Sequence, residues 1–242
     1  MDEKLYTIPV NDAFMNPGEC PVCAMRTKLE NDAVEYTLGP SYMEDDIRMV
    51  TDKMGFCDKH IDALYKQKNR LGLALILSTH FARTNKEIEK LQSSGTIKAA
   101  SLFKKGPEDP VVSFIDKLDS SCFICDRIND TFDRYVKTIF YMYKNDNAFV
   151  NLYGKCNGFC TRHYGLLLKE APKHLNSNTL GSFVKVTNSL YLENMKRVQG
   201  DLEWFVDKFD YRYANEPWKN SKDAIPRAIT KTNSIAYDTE KK

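Results

Sequence analysis

The chain has 242 residues, 42% hydrophobic and 28% charged, which is enough apolar content to bury one full core or two small ones. Its 35 basic and 33 acidic residues are interspersed and leave a formal net charge of +2, so no field of one sign exists to hold a polyanion, and nucleic acid is excluded as an expected partner. The opening MDEKLYTIPVNDAF has neither a basic start nor an apolar stretch of signal-peptide length, and the best apolar window, Leu71 to Leu77, falls far short of a membrane span. The expected location is the cytoplasm, with no membrane association.

Gly and Pro are scarce inside the long segments and β-branched alternation is nearly absent, so the expected fold is all-α. A first helix is predicted from Cys23 to about Thr37, stopped by Leu38-Gly39-Pro40. Ser41 reads as the cap of a second helix, with Glu44 as its capping-box partner and Met43, Ile47, Val50 and Met54 on the inner face. A short third helix follows Cys57 and is expected to bury Ile61, Leu64 and Tyr65, and a long fourth runs from about Asn69 to Leu91 with a seam of Leu77, Phe81, Thr84, Ile88 and Leu91. Ser93-Ser94-Gly95, Lys104-Lys105-Gly106-Pro107 and Asp109-Pro110 mark a linker.

Beyond the linker, Phe132, Tyr135, Phe140, Tyr141 and Tyr143 form an aromatic stripe at helical spacing, which is core or the wall of a ligand pocket. Tyr191, Met195, Val198, Leu202, Phe205 and Phe209 repeat the four-three seam of the first long helix. Trp218 to Ile229 reads as a short capped helix, followed by a disordered polar tail from about Lys231. The domain reading is a first repeat at 1–92, a linker at 93–110, a second repeat at 111–217, and a terminal helix and tail at 218–242. The two repeats are expected to be pseudo-symmetric and packed through their long helices.

The cysteines carry that division. Cys20-Pro-Val-Cys23 is followed by Gly55-Phe56-Cys57-Asp-Lys-His60, and Cys122-Phe-Ile-Cys125 by Gly158-Phe159-Cys160-Thr-Arg-His163. Cys20 and Cys122 are 102 positions apart and Cys57 and Cys160 are 103, a slip of one that marks a shared internal layout. Each half therefore offers Cys₃His, a donor set suited to a closed tetrahedral Zn²⁺ site. The expected sets are Cys20, Cys23, Cys57 and His60 in one half and Cys122, Cys125, Cys160 and His163 in the other. That makes two zinc ions per chain, with an iron–sulfur cluster or metal-free thiol redox chemistry as alternatives. A CxxH at a helix start puts both donors on one side, helix N-termini favour thiolates, and the glycine before Phe-Cys permits unusual backbone angles. Phe123 stands where the first half has Pro21 and is expected to loosen that turn. Cys156 has no counterpart and is a spare ligand, a fourth cluster ligand in place of His163, a reactive thiol or a bystander; His80 reads as a boundary residue and His174 as solvated.

Tyr6-Thr7-Ile8-Pro9-Val10, Glu19-Cys20-Pro21-x-Cys23, the two Gly-Phe-Cys-x-x-His turns and the terminal Trp218-Lys219-x-Ser221-x-Asp223-Ala224-x-Pro226-Arg227-Ala228 together resemble an uncharacterised bacterial family, mostly from anaerobic Firmicutes, whose members often carry the automatic label "ABC transporter substrate-binding protein". The resemblance spans nearly the whole chain and implies no established activity. Closed coordination spheres leave no position for substrate, so the expected role is a binding or adaptor module for a protein or small molecule, with a redox or sulfur-handling enzyme as alternative. Phosphate-loop, GxSxG and HExxH motifs do not occur, so nothing assigns a catalytic residue.

Overall fold

A computed structural model describes residues 5–16, 18–93 and 109–236. Among them are eleven α-helices and no strand: α1 (Thr7–Met15), α2 (Pro21–Leu38), α3 (Asp45–Met54), α4 (Asp58–Lys66), α5 (Arg70–Gln92), α6 (Pro110–Asp119), α7 (Phe123–Asn145), α8 (Asn147–Tyr153), α9 (Thr161–His174), α10 (Ser177–Asp207) and α11 (Ala224–Asn233). The all-α expectation holds, and no described helix is long and apolar enough to cross a membrane. Most of the predicted linker lies outside the described residues.

Contacts divide the chain differently from the sequence repeat. One compact unit comprises residues 1–28 and 131–242, the other residues 29–130, so the divisions fall inside α2 and inside α7 rather than in the linker. The reason is where these helices place their apolar residues. Ala33, Val34 and Leu38, late in α2, share a core with Leu64, Leu73 and Ile76 of the first half and with Phe123, Ile124 and Ile128 from the start of α7.

In the 29–130 unit, α3 and α6 both pack on α5. Asn69 caps α5 by accepting the Gly72 amide at 2.9 Å, while its own amide group donates to the Leu38 carbonyl at 2.8 Å, which ties the end of α2 to the start of α5. Ser41 lies in a 3₁₀ turn, Pro40–Met43, rather than capping α3, and Glu44 takes the N-cap position. Met43, Val50 and Tyr65 are exposed, whereas Thr51 and Leu64 are buried. The α5 seam is shifted as well: Leu73 and Ile76 are buried and Phe81 is exposed.

In the other unit, α10 packs on α9 and α11, and α1 packs on α8. Its centre is aromatic. Phe14, Phe140, Tyr143, Phe149, Tyr153, Phe159 and Phe183 are all buried, and Tyr153 lies 5.2–5.4 Å from the rings of Phe14, Tyr143, Phe159 and Phe183. The Tyr153 hydroxyl is satisfied by Thr187 at 2.8 Å. Most of the predicted aromatic stripe is therefore core. Phe183, Thr187, Leu190 and Val198 form the buried stripe of α10, and Phe209 is exposed.

Two further expectations are corrected here. His174 ends α9 with its ring stacked on Phe140 at 5.2 Å and is not merely solvated. Lys231 is not the start of a loose tail: α11 continues to Asn233, and Lys231 is 1% exposed.

Candidate metal centres

Each of the four cysteine motifs starts a helix. Cys57 and Cys160 are the N-cap residues of α4 and α9. The carbonyls of Cys20 and Cys122 accept the amides of Ala24 and Asp126 at 3.1 and 3.0 Å, the first intrahelical bonds of α2 and α7. Donors in the first turn of a helix face outward at its positive end, where a thiolate is favoured over a thiol. The glycines before Phe-Cys take the expected positive φ, 62° at Gly55 and 74° at Gly158, and these turns aim the helices.

All eight predicted donors come together, but in exchanged sets. Cys20 and Cys23 meet Cys160 and His163, and Cys57 and His60 meet Cys122 and Cys125, with the donor atoms of each set within 4.8 Å of one another. The within-half pairing is overturned by α2 itself. Its first turn carries Cys23 while its last turns sit in the core beside the Cys57 turn, and 18 helical residues span about 27 Å without bending back. Each set lies wholly inside one compact unit.

In the α2–α9 set, His163 Nδ1 lies 3.6 Å from Cys20 Sγ, 3.3 Å from Cys23 Sγ and 3.2 Å from Cys160 Sγ, and the last two sulfurs are 3.6 Å apart. In the α4–α7 set, His60 Nδ1 lies 3.3 Å from each of the Cys57, Cys122 and Cys125 sulfurs, with Cys57 and Cys125 3.8 Å apart. Both histidines present Nδ1 to the centre. Four donors so spaced surround one ion-sized point.

The buried thiols of the α2–α9 set shift one another's proton affinity. Burial pushes the Cys20 thiol up to about 12. Cys23 is raised, chiefly by its hydrogen bond with Cys160, and Cys160 is lowered by the hydrogen bonds from Cys20 and Cys23. A divalent ion bound among the three sulfurs would favour their thiolate forms. In the other set burial, and then the charge of Cys122, pushes Cys125 to about 12.

The two centres are secured by different means. At α4–α7 the Phe123 amide donates to the Gly55 carbonyl at 3.0 Å, and the Phe56 and Phe123 rings meet edge to face at 6.4 Å. Phe123, expected to loosen this turn, fastens it with an N–H that proline lacks. At α2–α9, where Pro21 has no amide to give, Lys231 makes the link. Its ammonium donates to the Glu19 carbonyl at 2.7 Å and to the Asn157 carbonyl, joining the residues that lead into the Cys20 and Gly158 turns. The Glu19 carboxylate lies 3.3 Å from this ammonium and 2.5 Å from Arg197. Burial pulls the Lys231 pKa down, opposed by Glu19. Ser234, just past α11, places its hydroxyl 3.1 Å from Cys160 Sγ and its carbonyl 3.9 Å from Cys23 Sγ. Sequence reading missed Lys231 and Ser234, since neither belongs to the repeat.

Cys156 is a donor in neither set, and burial pushes its thiol to about 11, which keeps it protonated at neutral pH. His80 is a neighbour rather than a ligand: its Nδ1 meets the Asp52 carbonyl at 2.8 Å, and its ring lies under Gly55.

The fold and the donor sets define a helical protein with two Cys₃His groups able to hold metal ions, one fully buried and one with two half-buried cysteines. The chain belongs to a family of unknown function, DUF6062, whose model matches residues 1–239. No curated protein and no solved structure matches it.

Proposed function

We propose that the protein carries one zinc ion in each centre and acts as a binding or adaptor module whose metals hold the helices in place. The observation that carries this reading is the convergence of two complete four-donor sets, each from two helix starts distant in sequence. A tetrahedral Zn²⁺ has edges of about 3.8 Å between sulfurs and about 3.6 Å from sulfur to nitrogen. One sulfur pair in each set stands 3.6 or 3.8 Å apart, the sulfur–nitrogen distances run from 3.2 to 3.6 Å, and all donor atoms of a set lie within 4.8 Å, which supports a single ion. A multi-iron cluster spreads its ligands over several metals and needs a wider ring. Four protein donors close the sphere, which favours a structural over a hydrolytic role.

Seven free cysteines, none in a disulfide, support a reducing, cytoplasmic setting. The proposed partner is a protein or small molecule rather than nucleic acid. Metal analysis of protein purified without chelator tests the zinc reading: a colourless protein with about two zinc ions per chain is expected. A brown protein containing iron and acid-labile sulfide would replace zinc with a cluster, and a metal-free, fully folded protein would end the reading.

A further inference from the structure

We propose that the α4–α7 centre is a peroxide-responsive thiolate pair: Cys57 and Cys125 oxidise to a disulfide and release the metal ion, while the α2–α9 centre keeps its own. This rests on the metal-bound reading above and adds a reactivity to one of its two sites.

The difference in access is on the surface of the molecule. Cys20, Cys23, Cys160 and His163 are all buried, and Ser234 lies against two of the sulfurs. Cys57 and Cys125 are both only half-buried. Cys57 also lines a cavity of about 480 Å³ that it shares with Phe56, Asp58, His80, Leu118 and Asp119. That volume admits a small neutral oxidant. The Cys57 and Cys125 sulfurs are 3.8 Å apart, held there by their common centre. A disulfide needs about 2.05 Å, so forming it asks for a closure of less than about 2 Å.

The chemistry balances with one peroxide. The metal keeps Cys57 as a thiolate, which attacks one peroxide oxygen; the O–O bond breaks, giving a sulfenic acid and a hydroxide that takes a proton to become water. The Cys125 thiolate then attacks the sulfenic sulfur and expels a second hydroxide, which also leaves as water. Two sulfurs have each lost one electron and the peroxide has gained two. Only His60 and Cys122 remain as donors, too few to retain the ion.

The experiment uses the full-length, metal-loaded protein. Its metal content is measured first, hydrogen peroxide is added, released metal is read with a chromophoric chelator, and the cysteines are mapped by alkylation and peptide mass spectrometry. One metal per chain is expected to leave at least about tenfold faster than the other, with Cys57 and Cys125 in one disulfide and Cys20, Cys23 and Cys160 still reduced. Cys156→Ser should leave both rates unchanged. Release of both metals at one rate, retention of both, first loss from the α2–α9 set, or a disulfide of Cys125 with Cys122 or of any partner with Cys156 would overturn the proposal. Absence of metal before peroxide is added removes the zinc reading itself and this reactivity with it, which separates the two failures.

Discussion

The α2–α9 and α4–α7 centres carry the same four donors on the same kind of helix starts, yet they are enclosed in different ways. In the first, a buried lysine from the far end of the chain bridges the two turns and a serine lies over the sulfurs. In the second, a backbone amide bridges the turns and one cysteine is left facing a cavity. A repeated motif therefore does not imply equivalent sites: what surrounds the ligands decides how firmly an ion is held and what can reach it.

The comparison is sharpest when a ligand is removed. Cys160→Ser should cost one metal per chain and lower Tm by on the order of 10 °C or more, since Cys160 and Phe159 are both 0% exposed inside an aromatic core. Cys57→Ser should also cost one metal but lower Tm by clearly less. Equal shifts, read by calorimetry alongside metal analysis, would erase the distinction between a deep and an open centre.

Lys231→Met comes next. It leaves the Glu19 carboxylate buried with one cation fewer and unlinks the two turns, so a loss of about 3 kcal/mol in urea unfolding is expected. Metal affinity of the α2–α9 centre alone should fall by roughly 10-fold to 100-fold, the usual effect of an outer-shell partner. An unchanged affinity would mean that the lysine only packs.

The two glycines give a smaller, paired test. A Cβ at Gly158 would stand 2.6 Å from the Leu190 carbonyl oxygen, which is backbone and cannot step aside, and one at Gly55 would stand 2.9 Å from His80 Cε1, a side-chain atom that can. Both also force a positive φ on alanine, so Gly158→Ala should cost about 3 kcal/mol and Gly55→Ala about 1 kcal/mol in chemical denaturation. The reverse order would contradict the packing around the two turns. The mildest change is Ser234→Ala, which removes the hydroxyl beside Cys160 Sγ and should cost no more than about 1 kcal/mol, with faster metal loss from that centre only.

The amino-acid sequence by itself determined the helical fold, the eight donors, the two glycine turns and the idea of two centres, because each of these is a local matter of periodicity, ligand chemistry or backbone angle. The end of α2 and both ends of α5 are legible to within a residue in the predicted boundaries, while α2 starts two residues before the predicted Cys23. Which CxxC met which CxxH was settled only in three dimensions. Equal spacing in the two halves is compatible with either pairing, and the choice falls to the core that Ala33, Val34 and Leu38 join, at the opposite end of α2 from Cys23. The same holds for Lys231 and Ser234, which sit in a polar stretch whose sequence reads as a tail. Their role comes from contacts across 212 and 74 positions, a separation that no short-range pattern encodes.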